Sequence, residues 1–540
     1  MTMKTTPDIS KPKRRRFFTW HTLRRLVIGL AWIATVVALL YGVENWRCNR
    51  AWERYRADAG ALGEHLDWKY FIPPTLPDDR NFATANATTR ALFDPDLQKL
   101  FVWSDQFSKV TRRVITSGVG SGITGPGHFH FIDLATWEKA LAAGNYKGLP
   151  SKGSELGNGD DPDPASRVAA APGVLRGLED CVPIIEAVRE ASSRPEARYP
   201  VNYDTENPAM IALPFYSQLL KICDRLTLRA SAELALGKSD EALNDLKLMF
   251  YISDSNKSES FLIAILVRDS ILALESQVIW EGLASHRWTD VQLREIQQSL
   301  LSRDFTGEIR RAIDMEQAVA VSTLEYYGFE AKGGFFDAKG SFCALLDLEN
   351  LFAGRDDIPE MKSFPKRVLV WMMPRGWFRL EQINSCKTLQ ARTKSVFDSA
   401  EQRIYPGQWA ANAAAEPPVP VDAMQALFEH RFAAWKMIVV TDAPLICKLA
   451  ASRCIADEAA IACGLERCRL ANGKYPAQLN ALAPAFIPTL PHDALTGESY
   501  RYRLDGADQY TLYSVGWDLK DDGGKPGAKW YGPDGDWVWQ

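Results

Sequence analysis

The sequence predicts a mainly α protein: one N-terminal transmembrane helix, stacked antiparallel helices, and a small C-terminal α+β domain with a short antiparallel sheet. Three observations predict this. An uncharged apolar run follows a basic N-terminus. Apolar residues recur at helical spacing over most of residues 174–327. Two adjacent alternating, strand-like stretches stand in about the last fifth of the chain, among glycine and proline breaks.

The 540 residues are enough for roughly two to four domains. Hydrophobic residues make up 46% and charged residues 24%, an ordinary globular balance. The net charge of −4 is too near neutral to suggest nucleic acid as a partner. The charge is uneven, however. Lys11, Lys13, Arg14, Arg15, Arg16, Arg24 and Arg25 crowd the N-terminus, opposed there only by Asp8.

Residues 26–43 (LVIGLAWIATVVALLYGV) follow directly. About 18 uncharged residues are near the lower limit for crossing a bilayer as a helix. A signal peptide would have a shorter apolar stretch and a small-x-small cleavage site. Leu40-Tyr41-Gly42 is a poor site, and Asn45-Trp46-Arg47 before Cys48 is unlike a lipoprotein cleavage box. The run therefore reads as an uncleaved anchor. The positive-inside rule then keeps residues 1–25 in the cytoplasm and places the bulk of the chain outside the bacterial inner membrane. Arg47, Arg50, Arg54 and Arg56 weaken that asymmetry, partly offset by Glu44, Glu53 and Asp58. No later segment matches. Residues 367–378 are too short and carry Arg375, and the apolar run at 261–267 meets Arg268 and Asp269 at once.

Residues 44–80 read as a juxtamembrane helix (51–70) and a Pro-rich spacer, FIPPTLPDD (71–79). The prolines force extended backbone, which lifts the body off the membrane or straps along it. Residues 81–430 read as the mainly helical extracytoplasmic domain. It begins with short strands at 113–116 and 128–132 and an acidic, exposed loop at 154–166. Two amphipathic helices follow, broken at Leu236-Gly237-Lys238, and residues 272–300 repeat that shape with Thr289 as an N-cap. The first hairpin faintly resembles a tetratricopeptide unit but lacks its strict repeat, so stacked helices are expected, not an array. Residues 410–421 (AANAAAEPPVPV) have linker composition. A final long helix leads into the terminal domain, 436–540. Cys447, Cys454, Cys463 and Cys468 lack zinc-knuckle spacing and read as small buried hydrophobes.

Tests for catalytic motifs mostly fail. Gly120-Ser-Gly-Ile-Thr-Gly125 has the dinucleotide spacing, but Pro126-Gly127 follows where a helix must start. Gly237-Lys238-Ser239 has the end of a phosphate loop but Ala232 where its first glycine belongs. His128 and His130 would share a face of a strand, beside Asp160, Asp161 and Asp163. That cluster is the basis of an alternative reading, a membrane-anchored hydrolase acting on an envelope polymer.

In the terminal region a helix ends near Asn472-Gly473, Tyr475-Pro476 restarts a short helix over 477–484, and Pro488 and Pro491 hold an extended link. Residues 500–503 and 510–515 alternate as two strands with Asp505-Gly506 in the turn. Trp537 and Trp539 suit an edge strand packed on the same domain. Asn472, Gly473, Tyr475, Pro476, Leu479, Leu482, Pro484, Pro491, Asp493, Tyr510, Leu512, Ser514, Gly516 and Asp518 together resemble the C-terminal region of the major pseudopilin of type II secretion. That family's last loop binds calcium. The resemblance implies Asp518 as a carboxylate ligand, Asp521 or Asp522 as another, and backbone carbonyls of Leu512 and Ser514 in the shell. An EF-hand does not fit, since Lys520 and Lys529 occupy ligand positions. The N-terminus departs from the family: Arg16-Phe-Phe-Thr-Trp20 lacks the processing glycine, and the apolar run lacks the glutamate. Residues 66–83 also resemble a membrane-proximal stretch of bacterial anchored proteins of similar layout. The expectation is a structural or interaction protein of the envelope with protein partners there.

Overall fold

The computed structural model describes residues 20–94, 97, 111, 129–142, 161–330, 373–418, 425, 428–431, 443–506, 508–527 and 532–539. The predicted strand at 113–116 and the glycine motif at 120–125 lie outside these residues. So do His128, Asp160 and most of the acidic loop.

Helix α1 (Trp20–Ala61) is one 42-residue helix. Among the described residues it is the one helix long and apolar enough to cross a membrane, and its most apolar stretch is wholly unburied. A separate helix at 51–70 was the expectation. Instead α1 runs on without a proline and stops at Leu62-Gly63, where Gly63 takes φ 79°. Its far end is part of the body. Cys48 and Trp52 are buried, and Trp52 packs with Val321, Ile383 and Cys386. The Pro-rich stretch is a strap: Phe71 and Ile72 pack against a cluster of Trp68, Met315 and Ala318.

The body is a stack of helices. After α2 (Ala87–Phe93), α3 (Leu134–Ala142), α4 (Pro164–Gly177) and α5 (Val182–Ala191) come α6 (Phe215–Ala235) and α7 (Ser239–Asp254). These last two form the expected hairpin, and Gly237 at φ 75° makes its turn. Helix α8 (Leu262–Ala284) lies at the centre, touching α6, α7, α10 (Phe305–Glu325) and α13 (Ala443–Asn472). Helix α9 (Asp290–Leu301) starts at Thr289, whose hydroxyl accepts the Gln292 amide while Gln292 caps back.

Helix α8 is buried on nearly every face, as befits a central helix. Its ionised groups are each paired to a different element. Glu281 pairs with Arg167 of α4 at 2.5 Å. Glu275 pairs with Arg303, in the turn before α10, at 2.8 Å. Asp269 takes Lys448 of α13 at 2.9 Å and the Ser452 hydroxyl. Arg268 pairs with Glu308 of α10. Glu281 also accepts from Ser231 Oγ at 2.6 Å, the Gln277 amide at 2.9 Å and Ile132 N at 2.9 Å. A carboxylate this deep is retained only when its acceptor sites are filled.

Helix α11 (Trp377–Thr393) packs on α1 and α10, followed by the two-residue strands β1 (Phe397–Asp398) and β2 (Arg403–Ile404) and helix α12 (Pro406–Ala415). Helix α13 lies across α8 and α9. It carries an antiparallel sheet, β3 (Arg501–Leu504), β4 (Tyr510–Ser514) and β5 (Trp537–Trp539), with β4 central. Trp537 and Trp539 occupy the edge strand, as their pattern predicts, and Trp539 meets Phe129 edge-on at 5.0 Å. Residues 477–484 form only a 3-10 turn, Leu479–Leu482. Side chains on both sides of the expected 430/436 boundary belong to one continuous core. All eight described cysteines are buried, and no disulfide joins any two of them.

Glu281→Ala should cost about 3–5 kcal/mol, because it strands Arg167 in the core. Arg310→Ala, which removes an exposed pair with Asp314, should cost less than about 1 kcal/mol. Urea unfolding of both variants measures the contrast as a shift of midpoint at constant slope.

Candidate functional site

The acidic terminal loop grows out of the end of β4. Ser514 is fixed there by two carboxylates: its amide donates to Glu458 of α13 at 3.0 Å and its hydroxyl to Asp493 at 2.7 Å. Gly516 then turns the chain at φ 73°, and a Cβ there would lie 2.3 Å from the Gly535 carbonyl. The chain can pass this point only with glycine. Leu519 follows at φ 58°.

The carboxylates of Asp518 and Asp521 already have internal partners. Asp518 Oδ1 accepts Lys520 N at 3.1 Å. Asp521 Oδ1 accepts the Tyr513 hydroxyl and Gly523 N, both at 3.0 Å, and Arg501 stands 3.4 Å from its other oxygen. Leu512 lies in the central strand, opposite Tyr502 on one side and Trp539 on the other, so neither edge of the strand is open at its carbonyl. The loop is closed by Asp536, which with Asp534 could also contribute a carboxylate by sequence but is not among the ligands that the resemblance implies. Its side chain is buried and accepts Asp522 N at 3.2 Å and Gly524 N at 2.7 Å. Burial pushes the Asp536 carboxyl up.

Among the described residues no three His, Cys, Asp or Glu side chains converge on a metal position. The donor chemistry itself suits a hard cation: Asp518, Asp521 and Asp522 are oxygen donors in one loop, without sulfur or imidazole. Binding would exchange the present internal hydrogen bonds of Asp518 and Asp521 for metal bonds.

The alternative cluster is only partly assembled. His130 Nδ1 and Asp161 Oδ1 are 3.3 Å apart. Asp163 is elsewhere engaged: its side chain caps α4 by accepting Ser166 N at 2.9 Å. The strand expected at 128–132 is absent among the described residues from Phe129 on. The backbone there is spent on side chains instead. Phe131 N donates to Asp161, the His130 carbonyl accepts Gln277, and the Ile132 carbonyl accepts Arg167. His130 and Asp161 sit on the rim of a packing anchor, with no nucleophile held against the imidazole among the described residues.

The sequence gives no warning of a third site. A cleft of about 740 Å³ between α5, α6 and α7 is lined by Arg189, Arg229, Glu233, Glu241, Asp245 and Tyr251. Asp245 is clamped by Arg189 at 2.6 Å and by Arg229, whose Nε lies 2.6 Å away. Arg229 is thereby turned from Glu233, 3.9 Å off, and the second Glu233 oxygen is buried without a hydrogen bond. Burial, with the Asp245 charge adding to it, pushes the Glu233 carboxyl up to about 8. The signal lies in a helix–helix contact, which one-dimensional spacing does not carry.

A raised carboxyl binds its proton more tightly in the folded chain. Stability is therefore full below the unfolded value near 4.5 and falls as pH rises through about 8. Glu233→Gln should flatten this dependence and stabilise the protein above pH 8 by about 1 kcal/mol, the scale of an unpaired buried polar group. Thermal melts of both proteins from pH 5 to pH 9 test it.

Comparison with family models, with curated proteins and with solved structures returns no match to the chain.

Proposed function

We propose that the protein is a single-pass, N-in anchored structural or interaction component of the bacterial envelope, with an extracytoplasmic helical body and a pseudopilin-like terminal domain. The observation that carries this is α1. An apolar stretch with no protein around it and a far end built into the core is what an anchored body requires. The terminal domain supports the second half of the reading. The landmark residues stand together in space: Tyr475 packs on Tyr510 at 5.0 Å, and Asp493 holds Ser514.

In this reading calcium is held by Asp518 with Asp521 or Asp522, and carbonyls of Leu512 and Ser514 would complete the shell. Calcium would supply only cohesion there, replacing several weak internal hydrogen bonds with one ion.

A reporter fused after Gln540 should register outside the cytoplasm. A cytoplasmic signal would end the anchored reading. In thermal melts of the detergent-solubilised full chain, calcium at a hundred times its dissociation constant should add about 2.7 kcal/mol. Asp518→Ala should abolish that rise. Asp536→Asn should lower the melt with and without calcium, because Asp536 closes the loop by itself.

A further inference from the structure

The membrane-facing end of the body is fixed by the way α1 and α11 run together. Their contacts climb in step. Gly376 N donates to Asn45 at 2.7 Å and the Trp377 indole to Glu44 at 3.3 Å. Arg379 lies over the Trp52 ring at 5.9 Å, and Ile383 and Cys386 pack with Trp52. Gln390 reaches Glu64 at 2.6 Å. The two helices are parallel, and the start of α11 stands level with the end of the apolar run at Val43.

Phe428 belongs to this end. Its ring meets Trp377 edge-on at 5.8 Å, and His430 packs on Trp377 at 4.7 Å. The segment is pinned: Asn384 donates to the His430 carbonyl at 2.7 Å, and Arg431 donates to the Pro418 carbonyl at 3.0 Å. Yet Phe428 is 62% exposed, the one phenylalanine among the described residues left so open. Trp46 is also 62% exposed, with the Arg50 guanidinium 5.5 Å over its ring. Trp46 lies three residues past Val43, about 4.5 Å along the axis. That is inside a headgroup layer of roughly 5–8 Å on each side of the hydrocarbon.

We propose that Trp46 and Phe428 form an aromatic collar seated in the headgroup layer, so that the body rests on the lipid surface beside its own anchor. This inference rests on the anchored reading of α1. The occupant is lipid because the two rings stand at the level where the apolar span ends, and aromatic rings favour that boundary. Arg50, stacked on Trp46, presents its charge where phosphate groups lie.

The test uses the full chain in liposomes containing a lipid with a nitroxide near its headgroup. A fluorophore is placed at Phe428→Cys, and at Val291→Cys on α9, a 65% exposed control position. Unsubstituted protein corrects for labelling of the native thiols, of which the described ones are buried. Quenching at 428 should exceed that at 291 by at least about twofold, as for a side chain at the interface. Equal quenching at both positions in protein that resists carbonate extraction overturns the collar and leaves the anchor standing. Protein released by carbonate overturns the anchor itself. Quenching at 428 that fades as the protein-to-lipid ratio rises points to a second copy covering Phe428, and overturns the lipid assignment. Phe428→Ser, melting with the wild type in detergent, should leave a label at Trp46→Cys less quenched in liposomes; an unchanged signal would show that the two rings do not act together.

Discussion

Everything in the body is referred to one buried helix whose charges must all be paired. Helix α8 lies at the centre of the stack and still carries Arg268, Asp269, Glu275 and Glu281. Each is matched by a different neighbour: Glu308, Lys448 with Ser452, Arg303, and Arg167. Apolar packing alone tolerates sliding by a turn with modest loss. A buried charge does not, because a slipped register leaves it without its counter-ion in a medium that solvates it poorly. The pairs therefore act chiefly on which arrangement is adopted.

The same constraint joins the two ends of the sequence. Asp269 reaches into α13, and α13 in turn holds the terminal sheet through Glu458 and Asp457. The sheet returns the connection, since Trp539 packs on Phe129, next to the segment that Glu281 and Arg167 hold. The terminal domain is thus built into the core. A pseudopilin-like unit in this chain would be a transplanted element sharing its long helix with the body.

Much of this was legible in one dimension where the determinant is local. The apolar run, the Gly237 turn, the Thr289 cap, the strands on either side of Asp505-Gly506 and the tryptophan edge strand all depend on residues within a few positions of each other. Elements whose determinant is distant were not legible. The segment at 129–132 has strand-like residues, but its backbone groups are claimed by Glu281, Gln277 and Arg167 from three-dimensional neighbours. Arg268 and Asp269 are readable as interruptions of an apolar run, though not as its counter-charges to α10 and α13. For the candidate sites, the loop carboxylates were visible as a cluster. Asp536 was visible as one of those carboxylates, but its closing of the loop was not, nor was Glu233, because both roles come from what lies across from them.

The side-by-side run of α1 and α11 has a mechanical consequence. A Pro-rich connector would have let the body swivel and range above the bilayer like a kite on a line. Contacts from Asn45 to Glu64 remove that slack. In the proposed orientation the body is a post of set height. Any lean of the span in the bilayer becomes an equal lean of the terminal sheet, so a partner meets that sheet at one altitude and one attitude.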